Sequence, residues 1–187
     1  MAAAAELVGE IGPSRVTLAN VGERAGYSRG LATHHFGSKR ALMERLVDEV
    51  ADQFREAIVQ ESQADSAIEQ ALAFVRTYFR ALSNLAPLNR ARLVLWADAV
   101  ATASADVRPA MFLADRESRE EITTRIARGI SSGEVPATVD PCGLATVIIA
   151  MLRGVALQSL LDDGVDLDSC RAEIEQLLIS RLQVASP

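Results

Sequence analysis

Apolar residues recur at three- and four-residue spacing along almost the whole chain, and almost no segment alternates with the period of two that a half-buried strand requires. That pattern predicts an all-α fold. Breaks at Gly12-Pro13-Ser14, Gly26-Tyr27-Ser28, Gly37-Ser38, Ser62 to Ser66, Ser83 to Pro87, Ala101 to Pro109, Ser131 to Pro141 and Asp162 to Asp168 leave about nine helices. Three are short and crowd into the first 36 residues. The others are longer, with apolar faces such as Phe54 and Ile58, or Leu72, Val75 and Phe79. This change predicts a head, residues 1–45, and a helical body, residues 46–187, sharing a helix that starts near Ser38 and runs to about Gln60.

With 187 residues, 49% of them hydrophobic, the chain can bury a substantial core. Cys142 and Cys170 stand alone, without the spacing of a disulfide framework or a zinc site, which fits a reducing cytoplasm. Met1 to Ala5 is small and apolar but lacks the basic start of a signal peptide and runs straight into Glu6 and Glu10. The longest apolar stretch, Gly143 to Leu161, carries Arg153, Gln158 and Ser159 between flanking aspartates, so a buried or interfacial helix accounts for it better than a membrane span.

A net charge of −6 argues at first against a polyanionic partner, but its distribution reverses the inference. Residues 1–45 hold six basic side chains (Arg15, Arg24, Arg29, Lys39, Arg40, Arg45) against four acidic ones (Glu6, Glu10, Glu23, Glu44), a net +2 that leaves −8 on the remainder. An acidic body with a mildly basic head suits a protein whose head alone meets DNA.

Within that head, the Thr17 hydroxyl can cap a helix from Leu18 to Ala25, Gly26 can end it in the left-handed conformation, and Ser28 can cap a second helix, Arg29 to Phe36. Helix, three-residue turn with glycine, helix is the geometry of DNA-reading units whose second helix enters the major groove. Close crossing of the pair needs a small residue in the first helix, which Gly22 supplies.

The run TLANVGERAGYSRG from Thr17 to Gly30, followed by HFGSKRAL from His35 to Leu42, resembles the TetR family signature, in which T-x-x-x-I-A-x-x-A-G-V-S-x-G leads into H-F-x-x-K-x-x-L. The resemblance implies that Ser28, Arg29, Gly30, Leu31, Thr33 and His34 face double-stranded operator DNA, with Arg29 reading a guanine through two hydrogen bonds. It also implies that Thr17 and Lys39, the only lysine in the chain, clamp phosphates at helix N-termini. Three features depart from the family pattern. Ala32-Thr33 stands where Leu-Tyr is usual; Gly22 replaces an alanine, loosening its helix by roughly 1 kcal/mol on propensity alone; and helix 1 starts at Met1 without the often basic stretch that commonly precedes it. The stretch from Arg92 to Leu178 is similar to the betaine or choline-type regulators of the same family.

Catalysis is not expected. His34 and His35 are adjacent and point about 100° apart on a helix, so they do not share a metal, and the chain offers no further histidine as base for a serine or cysteine nucleophile. His35 is expected to pack inward beside Phe36. No phosphate-cradling glycine loop is present, the pairs Glu120-Glu121 and Asp162-Asp163 read as solvated surface, and no cofactor or metal is implied.

Phe54, Phe74, Tyr78, Phe79, Trp96, Met111, Phe112 and Met151 are the large or pliable side chains from which an effector pocket would be built, which makes a small-molecule effector partly apolar. Arg76, Arg80, Asp98 and Arg153 are the polar groups available to orient it. A final helix pair, Asp140 to Asp163 and Asp168 to Leu182, carries Val147, Ala150, Met151, Gly154, Ile174 and Leu178. By resemblance this pair joins its twin in a four-helix bundle and makes the protein a homodimer able to read a palindrome. The resulting expectation is a cytoplasmic, ligand-responsive DNA-binding repressor that makes no use of a membrane; the competing one is a small-molecule binding protein of the same shape without operator binding.

Overall fold

The structure, a computed structural model, describes residues 1–61, 64–84, 86–102 and 104–183. Among these, nine α-helices and one 3₁₀ turn make up the regular structure, with no strand. In chain order they are α1 (Ala2–Ile11), the 3₁₀ turn (Pro13–Arg15), α2 (Leu18–Arg24), α3 (Arg29–Phe36), α4 (Lys39–Glu61) and α5 (Ala67–Ser83). After these come α6 (Pro87–Ala101), α7 (Arg108–Ser131), α8 (Pro141–Leu161) and α9 (Leu167–Leu182).

Local chemistry sets many of these limits. The Asp140 carboxylate accepts from the Cys142 amide at the start of α8, and Asp166 accepts from the Asp168 and Ser169 amides at the start of α9. Proline at the first position of α6 and of α8 lacks only an N–H that no helical carbonyl would have met. Glu134, in the connection from α7 to α8, accepts from the Ser66 hydroxyl and from the Ala67 and Ile68 amides, so a residue distant in sequence caps α5.

By packing, the chain forms two compact units, Met1–Phe54 with Asn84–Asp115, and Arg55–Ser83 with Arg116–Pro187. This division differs from the 45/46 boundary expected from helix length, because α6 and the start of α7 go with the head. The physical reason lies in the core of the first unit, where Ala91, Leu95 and Ala99 of α6 join Ala4, Ala5 and Val8 of α1 and Leu42, Met43 and Leu46 of α4. Small side chains on both α1 and α6 let the two helices lie close. Polar contacts tie the same elements: Arg90 Nε donates to the Gly9 carbonyl at 3.1 Å, and the Ser14 hydroxyl donates to Asp98 at 3.4 Å.

In the second unit α9 packs mainly on α5, and α8 touches both. An ion-pair network reinforces the α5–α9 seam: Arg76 contacts Glu69 at 2.7 Å and Glu175 at 3.5 Å, while Arg171 contacts Glu175 at 3.1 Å. α8 is long and apolar enough to cross a membrane by length and composition, with a mean hydropathy of 1.9. One of its faces, however, is buried in protein through Ala145, Ile148, Ile149, Leu152 and Ala156.

Candidate nucleic-acid interface

The helix-turn-helix is built as its local sequence dictates. Thr17 caps α2 in a reciprocal arrangement, its hydroxyl accepting from the Asn20 amide at 3.2 Å and its own amide donating to the Asn20 side chain at 2.8 Å. Helix α2 stops one residue short of the expected Ala25, and Gly26 takes the left-handed conformation with φ 77°. Ser28 occupies the cap position of α3, but its hydroxyl makes no capping bond, contrary to expectation. Its carbonyl instead accepts from Leu31 at 3.1 Å.

Gly22 is where the two helices meet. A Cβ there would lie 2.9 Å from the Ser28 carbonyl oxygen, closer than side chains and backbone normally approach, and the Tyr27 amide donates to the Gly22 carbonyl at 2.9 Å. Opposite it, Ala32 is the buried residue of α3. Arg29, Gly30, Leu31, Thr33 and His34 are all exposed on α3, with Thr17 and Ser28 exposed at the helix starts. These expected DNA-facing residues are therefore accessible on α3 and at its approaches, while Lys39, at the start of α4, is half-buried. His35 is also exposed, although its ring meets Phe36 edge-on with centroids 4.6 Å apart, so the expectation that it packs inward fails. Phe36, half-buried, is the residue that turns toward the core.

The head's cations are engaged. Arg24 binds Glu10 at 2.7 Å and Glu6 at 3.3 Å, bracing α2 on α1. Hydrogen bonding from Arg24 holds the Glu10 carboxyl below its usual range. Arg40 pairs with Glu44 at 2.8 Å, Arg15 donates to the Ile11 carbonyl at 3.0 Å, and Arg45 lies 5.8 Å from the centre of the Phe36 ring. Lys39 Nζ donates to the Ser14 carbonyl at 2.8 Å, pinning the start of α4 to the 3₁₀ turn and leaving two of its three donors for another acceptor. Arg29 Nε pairs with Glu23. Sequence reading missed Glu23, because six-residue spacing across a turn is neither helical nor strand periodicity. It also passed over Tyr27, 62% exposed at the tip of the turn, where the family signature has valine.

The residues expected around an effector divide between the two units. Phe54, Trp96 and Met111, half-buried, and Phe112, 59% exposed, belong to the first; Phe74, Tyr78 and Phe79, buried, and Met151, half-buried, belong to the second. The Arg92 guanidinium stacks on Phe54 at 4.6 Å from the ring centre. In the second unit Phe74 helps line an indentation with Ala67, Gln70, Ala71, Ile122, Arg125, Ile126 and Ile148; its free space is about 10 Å³, room for roughly one water molecule. Arg125 lies 3.9 Å from Glu121. Of the polar groups considered for orienting a ligand, Arg76 is held by Glu69 and Glu175, Arg80 by Glu61, and Asp98 receives Ser14.

The expected dimer residues also separate. Val147 (49% exposed), Ala150 and Gly154 lie on the outer face of α8 together with Leu157, and Met151 at its margin is half-buried. Ile174 (5%) and Leu178 (1%) are instead buried within the chain, because the face of α9 that carries them is enclosed among its own neighbouring helices. Leu177, 56% exposed, is a large apolar residue that α9 turns outward.

The sequence pattern of the bacterial regulatory proteins of the tetR family matches residues 1–46, and that of the BetI-type transcriptional repressor C-terminal region matches residues 67–183. The chain belongs to the TetR family. The HTH-type transcriptional regulator BetI of Escherichia coli (strain K12) is 29% identical over 98 residues, 51% of this chain and 50% of BetI. The match thus spans about half the length of this curated relative. A TetR-family transcriptional regulator from Rhodococcus sp. superposes with a TM-score of 0.84 at 21% identity, covering 97% of this chain and 95% of its own. A transcriptional regulator from Saccharomonospora viridis in complex with choline superposes with a TM-score of 0.80 at 19% identity, covering 98% and 95%. These likenesses establish the TetR fold, a helix-turn-helix head joined to a helical body.

Proposed function

We propose that the chain is a ligand-responsive DNA-binding repressor that acts as a homodimer on a palindromic operator and is released from it by a small molecule. The observation that carries this reading is α3. It exposes a guanidinium, a backbone bared at Gly30, an apolar contact at Leu31, a hydroxyl at Thr33 and an imidazole at His34, and buries only Ala32. Arginine suits guanine and an apolar side chain suits the thymine methyl, so this helix can read base edges. The positive ends of the α2 and α4 dipoles, with Thr17 and Lys39 beside them, suit flanking phosphates.

A single α3 specifies too few base pairs to select an operator, so two heads are needed. The stripe Val147, Ala150, Gly154 and Leu157 on α8, with Leu177 of α9, supports dimerisation: it is exposed, apolar, and flat enough at Ala150 and Gly154 for two helices to approach closely.

For the effector, the TetR fold and the BetI-type body support a site in the helical body. The indentation near Phe74 is lined by Gln70, Arg125 and apolar side chains, a wall that suits a partly apolar neutral or anionic molecule better than the quaternary ammonium of choline. Its free space has to open to admit one, which links binding to a change of conformation. The same linkage requires operator and effector to weaken each other by one factor, about 5- to 150-fold for a coupling of roughly 1–3 kcal/mol.

A small-molecule binding protein of the same shape without operator binding is the second reading. It is favoured by one observation, that the head's arginines and lysine already have partners in the chain. Sequencing genomic fragments retained by the full-length protein at moderate salt separates the two: enrichment of a shared palindrome supports the repressor, and no enrichment over bulk DNA rejects it. Calorimetric titration of candidate effectors with and without that DNA then tests release, since a tight ligand with the same affinity in both conditions is not the inducer.

A further inference from the structure

The Glu23–Arg29 pair joins the last turn of α2 to the first residue of α3, the helix placed above on the operator. It contributes little to folding, because the side chains of Arg29 and Glu23 remain 79% and 48% exposed and an ion pair in that setting is screened by water. Its geometry has a different consequence. The carboxylate takes the Nε proton of Arg29, so the two terminal amino groups of the guanidinium remain as a parallel pair of donors.

Two such donors are what guanine O6 and N7 accept. An unrestrained arginine at this position reaches phosphate oxygens as readily as a base edge, and phosphate contacts carry no sequence information. A carboxylate paired with it acts in two ways. It limits the rotamers that would be lost on binding. It also sets a negative charge against the phosphates, which penalises binding in any register where Arg29 has no guanine to meet.

We propose that Glu23 is a specificity-determining positioning residue, which aims Arg29 at a guanine and withholds it from the DNA backbone. The inference rests on the reading of α3 as the operator-facing helix. Glu23 itself does not touch a base; it acts through Arg29.

The test uses the full-length chain, a duplex selected by that chain from a random pool, and a scrambled duplex of the same length and composition at the same salt. In Glu23→Ala, binding to the scrambled duplex should tighten severalfold while binding to the selected duplex does not, so that the ratio of the two affinities falls roughly tenfold. Repeating the selection with this variant should show relaxed preference at one position of each half-site, the position that Arg29→Ala also relaxes. Glu23→Gln, which keeps the shape and removes the charge, should fall between the parent and Glu23→Ala. Introduced into the Arg29→Ala background, Glu23→Ala should change both duplexes alike.

A uniform gain on both duplexes with Arg29 present would show that Glu23 is only a charge, and the proposal fails. Unchanged affinities for both would overturn it equally. Failure of the operator reading looks different: the parent chain itself would select no duplex over the scrambled one, which rejects the repressor assignment and this inference with it.

Discussion

The carboxylate of Glu134 accepts the backbone amide of Ala67 at 2.8 Å, across 67 residues of chain, and thereby closes the first turn of α5. Burial raises the pKa of this carboxyl, but the hydrogen bonds from the Ser66 hydroxyl and the Ala67 and Ile68 amides outweigh that and hold it below the usual glutamate value. A carboxyl depressed in the folded state stabilises it above the unfolded pKa, and the contribution is lost as the pH falls through the folded value. Glu134→Ala should therefore cost about 1–2 kcal/mol at pH 7, of the order of a lost helix cap. Urea unfolding of parent and variant should give a difference that shrinks steadily below about pH 4.5, the unfolded reference. A gap independent of pH down to full protonation would mean that the carboxylate charge is not what caps α5.

Gly22 offers a case where two effects oppose each other. Alanine is the better helix former by roughly 1 kcal/mol, yet its Cβ would sit 2.9 Å from the Ser28 carbonyl at the start of α3. Backbone must move to make room, because the obstructing atom is not the end of a flexible side chain. Gly22→Ala should leave thermal stability within about 1 kcal/mol of the parent, the propensity gain offsetting the strain, and should lower operator affinity about tenfold by displacing Arg29. Unaltered operator affinity would show that α3 tolerates the shift.

Arg29 and Lys39 should behave differently on DNA. Arg29→Ala should cost roughly 1–3 kcal/mol on the selected site and relax one base position per half-site. Lys39→Ala should weaken all duplexes alike and reduce the salt slope by about one unit. Since Lys39 also holds the Ser14 carbonyl at 2.8 Å, circular dichroism melting of that variant should show a small additional loss of stability. Equal effects of the two substitutions on selected and scrambled DNA would contradict the division of roles.

Replacing Ala150 and Gly154 together by glutamate places charge on the outer face of α8 without touching the chain's own core: Ala150 is exposed, and a Cβ at Gly154 meets nothing within 4 Å. Sedimentation should show a folded monomer that binds operator at least tenfold more weakly, as expected when one head is lost from a palindrome. A folded variant that remains dimeric would remove this face of α8 from the interface.

What the sequence determined by itself is the part of the protein governed by neighbours a few residues apart. The helical period excludes strands, the Thr17 cap and Gly26 turn bound α2, Arg29–Phe36 is α3 to the residue, and the spacing of these elements carries the TetR likeness. Caps, turns and helical period depend on short-range hydrogen bonds and backbone sterics, which the local residues specify almost alone. Tertiary structure decided the rest. α6 joins the head because its alanines fit against those of α1, a complementarity invisible in either helix taken singly. α8 is apolar on most sides, so periodicity does not tell its buried face from its outer one, and only the packing of neighbouring helices separates Ile148 and Leu152 from Val147 and Gly154. On α9 the same packing turned Ile174 and Leu178 inward and left Leu177 outside. Glu134 reaching α5 and Glu23 reaching Arg29 are pairings of exposed or half-buried polar groups, for which many partners are chemically equivalent along the chain; proximity alone, set by the fold, chose among them.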